Sequence, residues 1–449
     1  MRSLRSNLTI GNLAACIAAL VAAPGAWAAD AQPTGNNTEF GYVLRAGASY
    51  SDNLFLAPSP DDVAVGAAVA GITATGARDT GRFTYQTAVD LTYYNYFKDY
   101  DDQVFGGAAL QAAYAFVPET FFWNADFNYD QVRTDLTRPM VADNLSSQTA
   151  WSTGPELHLR FGAAMEAQIS GHYQAISYPG VLGDGDNSTL GGRALLLRRV
   201  NPGTQWGVGA SYDDVSYDEQ VVADVLDYKR DEFFVRYQSE GARSRFEAEL
   251  GYSSISGDNV DDSGAMFRGA FTRRLTPTLE GSLSYSREYP TSFVGGLTAN
   301  TTIPGEGFTD QTLFSALPRQ QDQLEAALTM TRPRTTARLS YALRSEDPLG
   351  ADVNKRDFDD VRLVVSRRFT PRATGSIFAN RISERYSALA ANSSQTRVGG
   401  LLTVMLGASL GLDVQIEYND RSARQLGGSA NELAGGIFLR YARIPGQSR

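Results

Sequence analysis

From Phe40 onward the sequence alternates apolar and polar residues with a period of two, in one segment after another. Phe83, Tyr85, Val89, Leu91 and Tyr93 interleave with Thr84, Gln86, Asp90 and Thr92. Phe121, Trp123, Ala125, Phe127 and Tyr129 are separated by Asn124, Asp126 and Asn128, and Leu410, Leu412, Val414, Ile416 and Tyr418 by Gly411, Asp413, Gln415 and Glu417. Successive residues of a strand point to opposite faces, so each segment reads as a strand with one apolar and one polar face. No long stretch keeps a helical period, and no run reaches the roughly 18 apolar residues that a membrane helix needs.

Turn residues punctuate this pattern. Tight turns are predicted near Asp79, Pro118, Ala163, Pro202, Gly241, Pro277, Pro333, Pro371 and Ala408. Longer polar loops fall between them, at Phe97–Gln103, Arg133–Ala150, Pro179–Ser188, Asp218–Asp224, Gly257–Asp262, Tyr289–Gln321, Asp347–Lys355 and Asp420–Ala430. The intervening segments run about 9 to 13 residues, long enough to cross a bilayer at a tilt. Aromatic residues collect at their ends, among them Tyr50, Trp123, Trp151, Trp206, Tyr237, Tyr285, Tyr418 and Tyr441, as girdles do at bilayer interfaces. Backbone groups in hydrocarbon need partners, and a closed ladder leaves none without one. The expected fold is therefore all-β, a transmembrane antiparallel up-and-down β-barrel of roughly 20 strands (18–20). The alternative is a soluble β-protein with one wetted face.

Composition narrows the function classes. Hydrophobic residues make up 43% of the 449 and charged residues 20%, which excludes a long disordered polymer. Mean hydropathy is −0.26, which excludes a bundle of membrane helices. A net charge of −10 argues against a nucleic-acid partner. With one Cys and two His there is no intrachain disulfide and no zinc site to build, and no metal or cofactor is expected.

Arg2 and Arg5, the apolar run 13–23 and the small residues of Ala26-Trp27-Ala28 read as a signal peptide, 1–28, cleaved on export. Leu13-Ala14-Ala15-Cys16 also looks like a lipoprotein box, although the apolar run continues beyond it. The layout expected after cleavage is a short periplasmic segment at 29–38, the barrel at 39–441 and a tail at 442–449. The expected location is the outer membrane.

If the apolar face meets lipid, the alternate residues line a lumen. The candidates are Asp90, Asp126, Asp130, Glu156, Arg160 and Arg193 in the first half of the chain, then Arg236, Glu247, Arg268, Arg274 and Glu280, and finally Arg338, Arg362, Asp413, Glu417 and Arg440. Mixed charge over so many strands suits a water-filled channel. Hairpin pairing should set Arg236 near Glu247 and Arg274 near Glu280. Phe234, Phe378 and Phe438 share the inward parity and would suit contact with a glycan, unless a bulge shifts the register. The longest loop, Tyr289–Gln321, either folds inward or stays at the surface. An enzyme is not expected: only His158 and His172 could serve as imidazole bases, the hairpin offset does not make them partners, and no G-x-S-x-G surrounds a nucleophile.

Tyr50-Ser51-Asp52-Asn53-Leu54-Phe55-Leu56-Ala57-Pro58 resembles the first-hairpin motif of a family of outer-membrane β-barrel porins that includes barrels encoded with exopolysaccharide operons. Asp52, Asn53, Leu54 and Phe55 form its core. The strand at 63–75, the turn at 77–81 and the Tyr-rich strand at 83–97 are also similar, so the resemblance covers about a seventh of the chain. One departure is the last strand, which is followed by eight further residues after Tyr441 rather than closing on an aromatic. The resemblance implies an integral outer-membrane barrel linked to secreting or anchoring a polysaccharide. Its partners would be outer-membrane lipid and lipopolysaccharide, the barrel-assembly machinery, and polysaccharide or periplasmic export components. A general diffusion porin and a non-conducting docking barrel are the competing expectations.

Overall fold

The computed structural model describes residues 38–54, 56, 65–97, 101–133, 145–177, 186–217, 227–257, 260–290, 318–349, 355–386, 392–423 and 428–443. The segments 1–37 and 444–449, most of the longer loops and Phe55 of the motif lie outside the described residues, as does the signal peptide expected at 1–28. The strands are β1 (Thr38–Ser51), β2 (Val65–Asp79), β3 (Phe83–Tyr96), β4 (Gln103–Val117), β5 (Phe121–Arg133), β6 (Leu145–Phe161) and β7 (Met165–Ser177). They continue as β8 (Asn187–Asn201), β9 (Thr204–Tyr217), β10 (Tyr228–Glu240), β11 (Ser244–Gly257), β12 (Asp261–Thr276), β13 (Leu279–Glu288) and β14 (Arg319–Arg332). The last are β15 (Thr335–Pro348), β16 (Arg356–Thr370), β17 (Ala373–Tyr386), β18 (Asn392–Met405), β19 (Leu410–Ala423) and β20 (Gly428–Arg443). Each pairs antiparallel with the next in sequence, and β1 pairs with both β2 and β20, where Tyr42–Ser51 face Arg443–Ala434. The ladder is thus closed, a barrel of 20 strands as the alternation predicted.

All the predicted tight turns fall at one end, which we call the turn end; the longer connections fall at the loop end. Gly81 takes a φ of 76°, which costs a residue without Cβ little, and its amide donates to Asp79 Oδ1 at 2.7 Å. Register shifts fall just before or after four of these turns, between Ala115 and Val117, Arg199 and Asn201, Arg274 and Thr276, and Arg368 and Thr370. The residue left out of the ladder is each time apolar and exposed: Phe116, Val200, Leu275 and Phe369. Bulges of this kind sharpen local twist and re-aim a side chain.

The outer face carries the apolar parity of every strand. From Leu410 to Tyr418, or Tyr441 back to Leu433, it spans eight residue steps. At about 3.4 Å per step and a tilt of about 40°, that is a band about 21 Å tall before side chains are added. Phe83, Tyr114, Trp206, Phe246 and Tyr441 rim its turn-end edge, and Tyr93, Trp151, Tyr212, Tyr252 and Tyr418 its loop-end edge; all are exposed. An apolar surface of this extent has no place in water.

The strands are longer than the alternation suggested, from 10 residues in β13 to 17 in β6. The expected loop Arg133–Ala150 yields its end to β6, and the expected loop Asp420–Ala430 is largely strand, with Asn419 paired to Glu432 and Arg421 to Ala430. Likewise β20 extends through Arg443, past the expected boundary at Tyr441, because Ala442 and Arg443 pair with Val43 and Tyr42 of β1. At Asp420–Ser422, past the lipid band, both faces of the strand are polar, so the alternation vanishes while the backbone ladder continues.

Candidate functional site on the concave face

The polar parity faces the barrel axis. On β10, Phe233 and Val235 are exposed, whereas Phe234 is only 4% exposed and Arg236 is half-buried. Arg193 of β8 reaches Glu249 of β11 at 2.5 Å, and Arg268 of β12 reaches Glu232 of β10 at 3.0 Å. Side chains of strands two and three apart can meet only on the concave side, where they converge.

These contacts belong to one network running from β7 to β13. His172 Nε2 lies 3.1 Å from Asp213, which is clasped by Arg230. Arg230 also lies 3.8 Å from Glu232 and donates to the Tyr289 carbonyl. Arg268 draws together Glu232, Glu249 at 3.3 Å and Glu288 at 2.5 Å. Arg236 contacts Glu247, as the hairpin reasoning anticipated, and reaches Glu249 at 3.2 Å. The Asp213 and Glu232 side chains are only 3% and 2% exposed, so their charges persist there through these guanidinium partners. Arg230 and Glu232 share the parity of Arg236 but lie above the last clear alternation on β10, which hides them from sequence reasoning.

The other candidates sit on the same face without joining this network. Asp90 accepts from Thr73, Asp126 from Ser152 at 3.3 Å, and Asp130 from the Gln131 amide at 2.8 Å. Glu156 accepts from Asn124 at 2.7 Å, and Arg160 pairs with Glu119 at 2.8 Å in the open. Arg338 lies 3.4 Å from Glu325, Arg362 lies 3.2 Å from Asp360, and Glu417 pairs with Arg397 at 2.8 Å. Asp413 is fully buried and accepts from Thr403 at 2.7 Å. Arg274 stands opposite Glu280 in the ladder, with both side chains exposed, and Arg440 stands opposite Arg45 across the β1–β20 seam. His158 faces two carboxylates, Glu156 at 2.7 Å and Glu166 at 3.1 Å.

The three phenylalanines of inward parity are not free stacking platforms. Phe234, Phe378 and Phe438 are all buried. Each stands opposite a glycine in the ladder: Gly209 and Gly251 beside Phe234, Gly399 beside Phe378, and Gly47 beside Phe438. A Cβ on Gly209 would lie 2.5 Å from the Phe234 ring, and one on Gly399 would lie 2.4 Å from the Phe378 ring. The Phe234 and Phe378 rings thus lie over Gly209 and Gly399, and the Phe438 ring lies over Gly436 of its own strand. The Arg193 guanidinium sits 4.4 Å from the centroid of Phe234, and that of Arg397 5.9 Å from the centroid of Phe378. Leu195, Leu197 and Met266 complete a small apolar cluster around Phe234.

The motif residues have a definite place as well. Above Ser51, the last paired residue of β1, Asp52 and Asn53 carry the seam onward. The Asp52 amide donates to the Leu433 carbonyl at 3.2 Å, and Asp52 Oδ1 accepts from the Leu433 amide at 2.7 Å. Asn53 Nδ2 donates to the Asn431 carbonyl at 2.8 Å. The carboxylate thus stands in for a backbone acceptor and the amide for a backbone donor. Ser51 Oγ donates to Glu432 at 2.5 Å, and Asn419 donates to the other oxygen of the same carboxylate at 2.7 Å. Leu54 packs against a buried cluster of Val65, Ala67, Val69, Tyr96 and Phe438.

No family model matches the chain, and no curated protein matches it. Among solved structures, the chain is similar to the FrpB iron transporter from Neisseria meningitidis (F3-3 variant), at 9% identity and a TM-score of 0.44 over 90% of this chain and 81% of that one. It is similar to the siderophore receptor PirA from Pseudomonas aeruginosa, at 8% identity and a TM-score of 0.44 over 92% and 81%. It is also similar to a loop-deletion mutant of OmpT, an outer membrane protein of Vibrio cholerae, at 10% identity and a TM-score of 0.34 over 91% and 99%. Likeness at this level does not reach function.

Proposed function

We propose that this protein is an outer-membrane β-barrel forming a pore or conduit for polar solutes, working in exopolysaccharide export. One observation carries the first part: a closed ladder is coated outside by an apolar band and carries its charge on the concave face. Lipid suits the first surface and water the second. The export setting is supported by the first-hairpin resemblance alone. On this reading the partners are outer-membrane lipid and lipopolysaccharide, the barrel-assembly machinery, and polysaccharide or periplasmic export components. The seating of Phe234 and Phe378 in glycine notches under arginine favours a charged wall over an aromatic glycan track. A second reading, a non-conducting docking barrel, is favoured by the burial of Asp213, Glu232, Glu346 and Glu384 at the loop end.

Single-channel conductance of the refolded barrel, with acidic and neutral oligosaccharides added in turn, tests these readings. Steady steps blocked by sugar are expected from an export conduit. Steps indifferent to sugar would leave a general porin, and silence from a verified, heat-modifiable barrel would overturn the pore.

A further inference from the structure

The outward parity changes sign along the barrel axis. Directly past the turn-end girdle, six outward residues are arginine: Arg78, Arg198, Arg273, Arg332, Arg367 and Arg443, on β2, β8, β12, β14, β16 and β20. All six are exposed. Among the described residues none of them lies within ion-pair distance of a carboxylate, and no outward acid shares their level. Several stand beside a girdle aromatic, as Arg198 does opposite Trp206, Arg78 opposite Tyr85 and Arg443 opposite Tyr42. Past the loop-end girdle the outward acids Asp214, Asp231, Asp261, Asp322, Asp357 and Asp359 outnumber the outward cations Lys229, Arg287 and Arg385, each of which lies within ion-pair distance of one of them.

Water explains exposed charge at either end but not this separation. An outward guanidinium one rung below an aromatic girdle sits at headgroup depth, its stem against acyl chain and its head among phosphates. Basic side chains clustered near an anionic bilayer surface are attracted to it, and the attraction adds up over the cluster. Arginine also forms forked hydrogen bonds to phosphate oxygens. We infer that the turn-end rim is a binding collar for anionic phospholipid, and that the turn end lies in the leaflet that supplies it. The inference needs the barrel to sit in a membrane. It does not need the lumen to conduct.

The test is native mass spectrometry of the detergent-solubilised barrel, titrated with phosphatidylglycerol and with phosphatidylcholine. Preferential retention of phosphatidylglycerol by at least about tenfold is expected, weakening as salt rises. Changing all six arginines to glutamine should abolish the preference. If that variant does not reach the heat-modifiable form, the triple variant R273Q/R332Q/R367Q should reduce it severalfold. Asp322→Asn, Asp357→Asn and Asp359→Asn together should leave it unchanged. Inorganic phosphate at equal charge should not displace the lipid. Equal retention of the two lipids, an unchanged preference in the arginine variants, or full displacement by inorganic phosphate would each overturn the collar. None of these outcomes depends on conductance, so the collar and the pore stand or fall separately.

Discussion

The interior of this barrel has two unlike halves. Toward the loop end, inward charges are buried and shared: Glu232 serves both Arg230 and Arg268, Glu346 lies 3.4 Å from Arg344, and Arg356 holds Glu384 at 2.7 Å. Toward the turn end, ion pairs of the same parity stand in the open: the side chains of Arg160 and Arg338 are 59% and 53% exposed, and their partners are exposed too, Asp413, buried beside Thr403, being an exception. The residue types are alike, and the surroundings set what each pair contributes. A buried carboxylate without its guanidinium is costly, whereas an exposed pair is screened and worth little. The loop half therefore holds stability in its charges, and the turn half is free to present its charges to whatever enters.

That contrast can be broken by graded substitutions. The largest effect is expected from Arg268→Ala, which removes the guanidinium shared by Glu232, Glu249 and Glu288. It should lower unfolding free energy by about 3 kcal/mol in urea titrations of vesicle-inserted protein. A loss under about 1 kcal/mol would mean that the loop half is hydrated after all. Gly209→Ala comes next, at about 2 kcal/mol, because its Cβ would strike the Phe234 ring and the Ala194 carbonyl. The same variant should release Arg193 from the ring, read as altered ion selectivity if the lumen conducts. Asp52→Ala should cost about 1 kcal/mol by removing the acceptor that caps the seam. Hydrogen exchange should then rise at Leu433 while β10 stays protected, and uniform exchange would show that the cap is not local. Arg338→Gln should change stability by less than about 0.5 kcal/mol; a larger loss would erase the difference between the halves.

Much of the fold was legible because lipid and water impose opposite demands on alternate residues. Where both demands act, as at Leu410–Tyr418, parity and strand coincide. The tight turns were legible through Pro and Gly. Legibility stopped where the lipid band stops: Asp420–Ser422 is polar on both faces and read as loop, yet it pairs residue for residue with β20. The candidate site was legible in its parity but not in its partners. Nothing in the sequence places Arg193 against Glu249, because that contact depends on the curvature of the strands between them. The inward phenylalanines were legible as inward, but the opposite glycines that turn them into wall belong to other strands. The role of Asp52 and Asn53 was hidden for the same reason, since Asn431 and Leu433 lie at the far end of the chain.

The seam has a consequence in time. Ser51 and Glu432, joined at 2.5 Å, are 381 residues apart. The edge of β1 is the first to exist and the last to be satisfied. Until β20 arrives it presents a row of unpaired donors and acceptors that any other strand could use. Contacts of such span make folding slow. Closure waits on the final strand, because β20 is what covers that edge.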